Sequence, residues 1–215
     1  MKTEALRTSK TRRVFLQCAA LAPLAQASGF LLASSRSVQV AQKEESEPGT
    51  PTPFDLIPGY GLDSHLKATR LAILPLGSIE YHGPSGPSGT DSLIVTGLAV
   101  QLAGRLRACL FPSVQYTHCP PHTAAFRGTI SIRPKTITAY LADILAGLIA
   151  HGFDKILILN GHDGNIGSAR LAISQVTHQH PKTAILFVNW WETLPGPLVD
   201  SLRLFSQANG GHGHG

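Results

Sequence analysis

Charge is scarce in this sequence. Of its 215 residues only 14% are Asp, Glu, Lys or Arg, against 43% hydrophobic. That balance excludes a disordered polyelectrolyte and implies a packed core. Cysteine is scarcer still, with three in the whole chain, which excludes a disulfide-stapled scaffold. Cys18 lies near the N-terminus. Cys109 and Cys119 are open to two readings, one bridge or two buried thiols. No phosphate-type glycine loop follows the first apolar run, which argues against a nucleotide-binding protein. Nor is there an internal repeat. The formal charge of +5 looks basic, but six of the 18 Lys and Arg, and one of the 13 acids, fall in residues 1–41. The remainder carries twelve of each sign and is neutral, so no basic patch for nucleic acid is expected.

What is present begins with an address. Thr11-Arg12-Arg13-Val14-Phe15-Leu16 sets paired arginines before an apolar run that extends to Phe30-Leu31-Leu32-Ala33. A charged start, a moderately apolar middle and small residues near a cut site mark an export leader, and this one resembles a twin-arginine signal. Ala25-Gln26-Ala27 and Ala41 are alternative cleavage points. The competing reading is a membrane anchor, which Pro23, Gln26 and Gly29 weaken. We therefore expect a leader over 1–41, a flexible Pro- and acid-rich linker over 42–53, and one folded domain over 54–215. The expected location is the periplasm, with no stable membrane span once the leader is removed. Twin-arginine cargo crosses folded and often carries a metal, which agrees with the reading below.

Within the domain, apolar runs alternate with helical patterns. Strands are expected at Thr69–Leu76, Ser113–Thr117, Lys155–Leu159 and Thr183–Asn189, and helices at Ser92–Ala108, Pro134–His151 and Asn165–Gln179. Pro134 at a first turn and Gly152 after the end frame the clearest helix. Strand–helix alternation with short, wholly apolar strands predicts an α/β fold, a three-layer α/β/α sandwich around a mostly parallel sheet. Function in such sheets gathers in loops after the strands, which here are Gly77–Asp91 and Asn160–Asn165.

Glu80 and His82 are two apart, so in an extended segment they face the same way and can grip one divalent ion. Asp91 returns after a Gly/Pro-rich loop at a helix start, where it could also be an N-cap. His162 follows the Lys155–Leu159 strand in Asn160-Gly-His162-Asp163-Gly-Asn165. Taken singly, Glu80 could be a surface acid and His162 a hydrogen-bonded turn residue. Together they converge on one crevice.

Three segments, LPLGSIEYHGPSGPSGTD, AFRGTISIRPKTI and HGFDKILILNGHDGN, occur in that order. They are similar to the signature segments of the creatininase (creatinine amidohydrolase) family, from about Ala68 to Trp191. The resemblance implies an α/β/α sandwich and two divalent ions, zinc, manganese or iron. It makes Glu80, His82, Asp91 and His162 metal ligands, with Asp91 bridging. Trp190 or Trp191 falls where some members set an aromatic against substrate, though packing explains either. Three departures stand out. Ser85–Thr90 replaces a His-Leu-Pro-Leu-Gly-Thr run that shapes the pocket in other members. Gly164 stands where creatininase has a metal-binding Glu, and Asp163 is one residue short of it. The chain stops at Gly215, before an acidic motif that members carry, and so is expected to be C-terminally truncated. His214 would be the proton-transferring histidine; the bland reading is a terminal His/Gly tail.

The implied activity is metal-dependent hydrolysis of a non-peptide C–N bond in a small cyclic or linear amide, by a homo-oligomer. The rivals are a truncated, non-catalytic homologue and a periplasmic metal- or ligand-binding protein.

Overall fold

The structure, a computed structural model, describes residues 51–198. The expected leader, most of the linker, and His212 and His214 lie outside the described residues. After a short 3-10 turn at Phe54–Leu56, the elements run α1 (Leu62–Ala68), β1 (Leu71–Leu76), α2 (Thr90–Leu106), β2 (Cys109–Leu110), α3 (Pro121–Ala124), α4 (Pro134–Ala150), β3 (Lys155–Asn160), α5 (Ile166–Gln179) and β4 (Ala184–Asn189). The four strands form one parallel sheet in the order β2-β1-β3-β4.

The apolar strands sort their side chains by the two-residue period of the pleat. Ala72, Leu74, Leu76, Ile156 and Ile158 pack with Ile137, Leu141, Leu145 and Leu148 of α4 and with Ala169, Ala172 and Val176 of α5. Ile73 and Leu159 turn the other way, onto Val95, Ala99 and Ala103 of α2. The spacing of each helix set places its members on one face, and alanines at the contacts let α2 and α5 sit close to the sheet. Helices thus cover both faces, as the alternating pattern predicts.

The chain order sets the site. From β1 the path leaves through α2 to β2 on one side. It then returns past β1, through α4, to β3 on the other side. β1 and β3 are neighbours whose outgoing loops diverge, and such a reversal leaves a crevice beyond the carboxyl ends of the two strands. β1 and β3 pair in register from Leu71↔Lys155 to Leu76↔Asn160, so the two loops start side by side.

One strand differs from expectation. The second strand is Cys109–Leu110, not Ser113–Thr117, and Val114 only bridges to Leu76. Two prolines explain this. Pro75 in β1 has no N–H to give, and its edge faces the β2 side, as shown by Val114 N–H donating to the Pro75 carbonyl at 3.0 Å. Pro112 then interrupts the partner, since proline cannot extend a ladder. Cys109 and Cys119 are both buried and unbridged. No helix among the described residues is long and apolar enough to cross a membrane.

Candidate metal centre

Each loop is tied down before it presents a side chain. In the first, the Glu80 N–H donates to the Ser88 carbonyl at 2.8 Å. The segment Thr129–Ile130 clamps the residues on either side of Glu80. Ile130 N–H donates to the Ile79 carbonyl at 2.9 Å, and Tyr81 N–H to the Thr129 hydroxyl at 2.9 Å. Tyr81 also stacks on Phe126, ring centroids 4.8 Å apart. In the second loop, three buried amides do the holding. The Asn160 carboxamide accepts from His162 N–H at 3.2 Å and donates to the His162 carbonyl at 2.8 Å and to Asn189 Oδ1 at 2.8 Å. Asn165 Nδ2 donates across the crevice to the Gly77 carbonyl at 2.9 Å. These amides were not singled out from sequence; the signal that could have found them is the N-G-H-x-G-N string for Asn160 and Asn165, and the end of an apolar strand for Asn189.

The four residues expected as ligands come together. His162 Nδ1 lies 2.9 Å from Asp91 Oδ2 and 3.2 Å from Glu80 Oε2. His82 Nε2 lies 3.0 Å from Asp91 Oδ1. Each carboxylate oxygen of Asp91 therefore faces a different imidazole. The far nitrogen of each ring meets a backbone carbonyl: His82 Nδ1 the Glu80 carbonyl at 2.9 Å, His162 Nε2 the His118 carbonyl at 3.0 Å. A carbonyl accepts only from N–H, so these contacts leave His82 Nε2 and His162 Nδ1 facing the acids. The Ser78 hydroxyl donates to Asp91 Oδ2 at 2.7 Å. Asp91 is not an N-cap: α2 is capped at Gly89, and Asp91 is the second residue of the helix, in its first turn, with its carboxylate turned to the histidines. Glu80 is not a surface acid either, being 1% exposed, and His162 is 4% exposed.

The electrostatics follow from this packing. Burial pushes the Asp91 carboxyl up, but hydrogen bonds and charge from His162 and His82 outweigh it and hold the group well below the carboxylate range. The Glu80 carboxyl is likewise lowered, with burial opposed by His162 and by Thr123 beside it. Burial pushes the His162 ring down, yet Asp91, Cys119 and Glu80 drive it far above the ordinary histidine value. His82 is raised by its bond to Asp91. In the metal-free protein an imidazolium proton thus bridges two buried carboxylates, in the position a cation would take. The set fits a divalent ion on a further observation: Glu80 Oε1 is buried with no hydrogen-bond partner, a costly state that a cation relieves.

Two glycines set the approach. A Cβ at Gly161 would lie 2.6 Å from the Asp91 carbonyl, so only glycine lets the end of β3 come this close to α2. A Cβ at Gly164 would strike the His118 carbonyl and come within 2.6 Å of His162 Nε2. Asp163 is exposed, so it does not stand in for the acid found at 164 in creatininase. Trp190 packs on the α2-side core and meets Trp191 edge-on at 6.3 Å.

The fold and this acid–histidine cluster define a class of α/β proteins with a site at the reversal of a parallel sheet. Residues 61–215 match the family model described as creatininase, creatinine amidohydrolase, and the chain belongs to that family. It is 32% identical over 130 residues to the 3-dehydro-scyllo-inosose hydrolase of Thermotoga maritima, covering 60% of this chain and 42% of that protein. It is 35% identical over 128 residues to the mycofactocin precursor peptide peptidase of Mycobacterium ulcerans, covering 55% and 50%. The chain thus spans about half the length of these curated relatives. A crystal structure of creatinine amidohydrolase superposes with a TM-score of 0.66 at 23% identity, over 71% of this chain and 62% of that one, which shows the shared fold.

Proposed function

We propose that the chain is a metal-dependent amidohydrolase, acting on a non-peptide C–N bond of a small cyclic or linear amide. The observation that carries the reading is the Asp91 carboxylate, whose two oxygens lie 3.0 Å and 2.9 Å from the ring nitrogens of His82 and His162. Divalent metal would be held there by Glu80, His82, Asp91 and His162, with the Asp91 carboxylate shared between the two histidines. Family membership supports it, and solved creatininases include a manganese form and a zinc–zinc form.

Divalent ions bound there would polarise the amide carbonyl and activate water for attack. The chain's own residues hold the frame. The Glu80 and His118 carbonyls fix the two histidine tautomers, Ser78 orients Asp91, and the buried amides keep the two loops in register. The leaving nitrogen needs a proton, and we propose His214 as its source. The inosose hydrolase and the peptide peptidase act on unlike molecules by name, so the amide is proposed only as a class. We also propose export by the twin-arginine route to the periplasm.

Purified protein should contain divalent metal by elemental analysis. It should hydrolyse members of a panel of lactams and linear amides, lose that activity to a chelator and regain it with Zn²⁺ or Mn²⁺. Hydrolysis indifferent to the chelator would sink the proposal. A second reading, a metal-binding homologue without turnover, is favoured by one feature: neither Gly164 nor exposed Asp163 adds a further acid to the four clustered residues. Bound metal without turnover of any amide would select it.

A further inference from the structure

The loop between β2 and α4 brings a residue to this centre that no ligand expectation included. Cys119 is 1% exposed. Its sulfur, a carboxylate oxygen of Glu80 and a ring nitrogen of His162 all lie within 4.8 Å of one another. We propose that Cys119 is a thiolate ligand to the ion held by Glu80 and His162, and that this ion is zinc-like rather than manganese. The proposal rests on the metal centre described above and names the donor that sets its metal preference.

Three observations carry it. First, the sulfur is positioned rather than merely buried. The Cys119 N–H donates to the Ser131 hydroxyl at 3.0 Å, and that hydroxyl donates back to the Cys119 carbonyl at 3.1 Å. The backbone is thereby held from both sides while the side chain turns to the centre. Second, the thiol already faces the centre: besides a weak bond to the Ile79 carbonyl at 3.7 Å, it lies in hydrogen-bond contact with the His162 ring. Third, Glu80 Oε1 is buried without a partner beside it. A carboxylate with one partnerless buried oxygen, grouped with a thiol and an imidazole, is an oxygen–nitrogen–sulfur set that fits a cation. In a tetrahedral zinc site, bond lengths of about 2.0–2.3 Å put donors roughly 3.3–3.8 Å apart. Closing from separations of at most 4.8 Å takes small side-chain motions. On binding, the thiol proton leaves to solvent and the sulfur lone pair forms the bond to the ion. Thiolate is a soft donor, favouring zinc or cobalt over manganese, which prefers oxygen. Cys109, by contrast, faces the α4–α5 core and burial alone pushes its thiol up to about 12.

The test is cobalt substitution of the full-length protein. Co²⁺ should give both visible bands and an intense near-ultraviolet thiolate charge-transfer band. That band should vanish in Cys119→Ser and persist in Cys18→Ser and Cys109→Ala. Cys119→Ser should also weaken zinc relative to manganese by more than the roughly 10–100-fold that losing an outer-shell partner costs. Should Cys119→Ser fail to fold, cadmium NMR of the wild-type protein reads the same bond as a sulfur-shifted resonance. Visible bands without the charge-transfer band, an unshifted cadmium signal, or a band surviving in Cys119→Ser would overturn the Cys119 assignment and leave the metal centre standing. No Co²⁺ binding at all would overturn both.

Discussion

The space at position 164 gives a prediction whose sign runs against a general rule. Replacing glycine by alanine at a site with ordinary backbone angles stabilises a protein by about 0.4–1 kcal/mol, by restricting the unfolded chain. Gly164 has no left-handed φ, so on that ground alone Gly164→Ala should stabilise. The structure predicts the opposite. Its Cβ would collide with the His118 carbonyl and sit 2.6 Å from His162 Nε2, where ordinary contact begins at 3.4 Å. The first neighbour is backbone and the second a ring buried among two carboxylates, so neither yields cheaply. Overpacking of this kind costs about 1–3 kcal/mol. Breaking the bond from His162 to the His118 carbonyl adds about 1 kcal/mol or more. Set against the unfolded-chain gain, these leave a net loss of about 2 kcal/mol, which lowers Tm by roughly 4–8 °C for a chain of this size. Gly167, with nothing within 4 Å of its would-be Cβ, is the control: Gly167→Ala should be neutral or stabilising. Both variants are melted in chelator by circular dichroism, and their metal content is measured after reloading. If Gly164→Ala melts at or above the wild type, the steric argument is wrong. By the same argument Gly164→Glu, which restores the acid creatininase carries, should lower metal content by displacing His162.

Asp91→Ala removes the carboxylate shared by both histidines, and bound metal should fall to background by elemental analysis; undiminished content would place the ion elsewhere. The pH dependence should differ in sign between the two forms. In the metal-free protein the raised His162 stabilises fully below its unfolded value of about 6.5, and that contribution is lost as pH rises from there towards the folded value. Tm in chelator should therefore fall above pH 6.5, whereas the gain from added zinc should grow, because binding requires the neutral ring. A flat chelator profile between pH 6.5 and 9 would remove the imidazolium. Arg12→Lys with Arg13→Lys should retain the protein in the cytoplasm, read by fractionation; normal appearance outside would exclude a twin-arginine leader.

The parts of this molecule that could be read from sequence are those in which one residue type has one physical outlet. Short, wholly apolar runs such as AILPL and ILIL, bounded by turn residues, fit strands covered on both sides. A carboxylate and a histidine directly beyond such runs must then meet at the sheet's reversal, because the register of β1 and β3 brings Leu76 against Asn160. That is why Glu80, His82, Asp91 and His162 were visible as a group. What could not be read shares the opposite property. The segment between β2 and α4 has no period. Whether His118 gives a carbonyl or Cys119 a sulfur depends on Ser131, which holds the Cys119 backbone, and on the Ile79 carbonyl, which meets the sulfur, 12 and 40 residues away. The strand at Ser113–Thr117 was misplaced for the same reason. Its fate hangs on Pro75, an N–H missing from a different strand. Ligands that terminate a strand inherit its register, while those carried by an irregular loop have their place set by contacts that sequence spacing does not record.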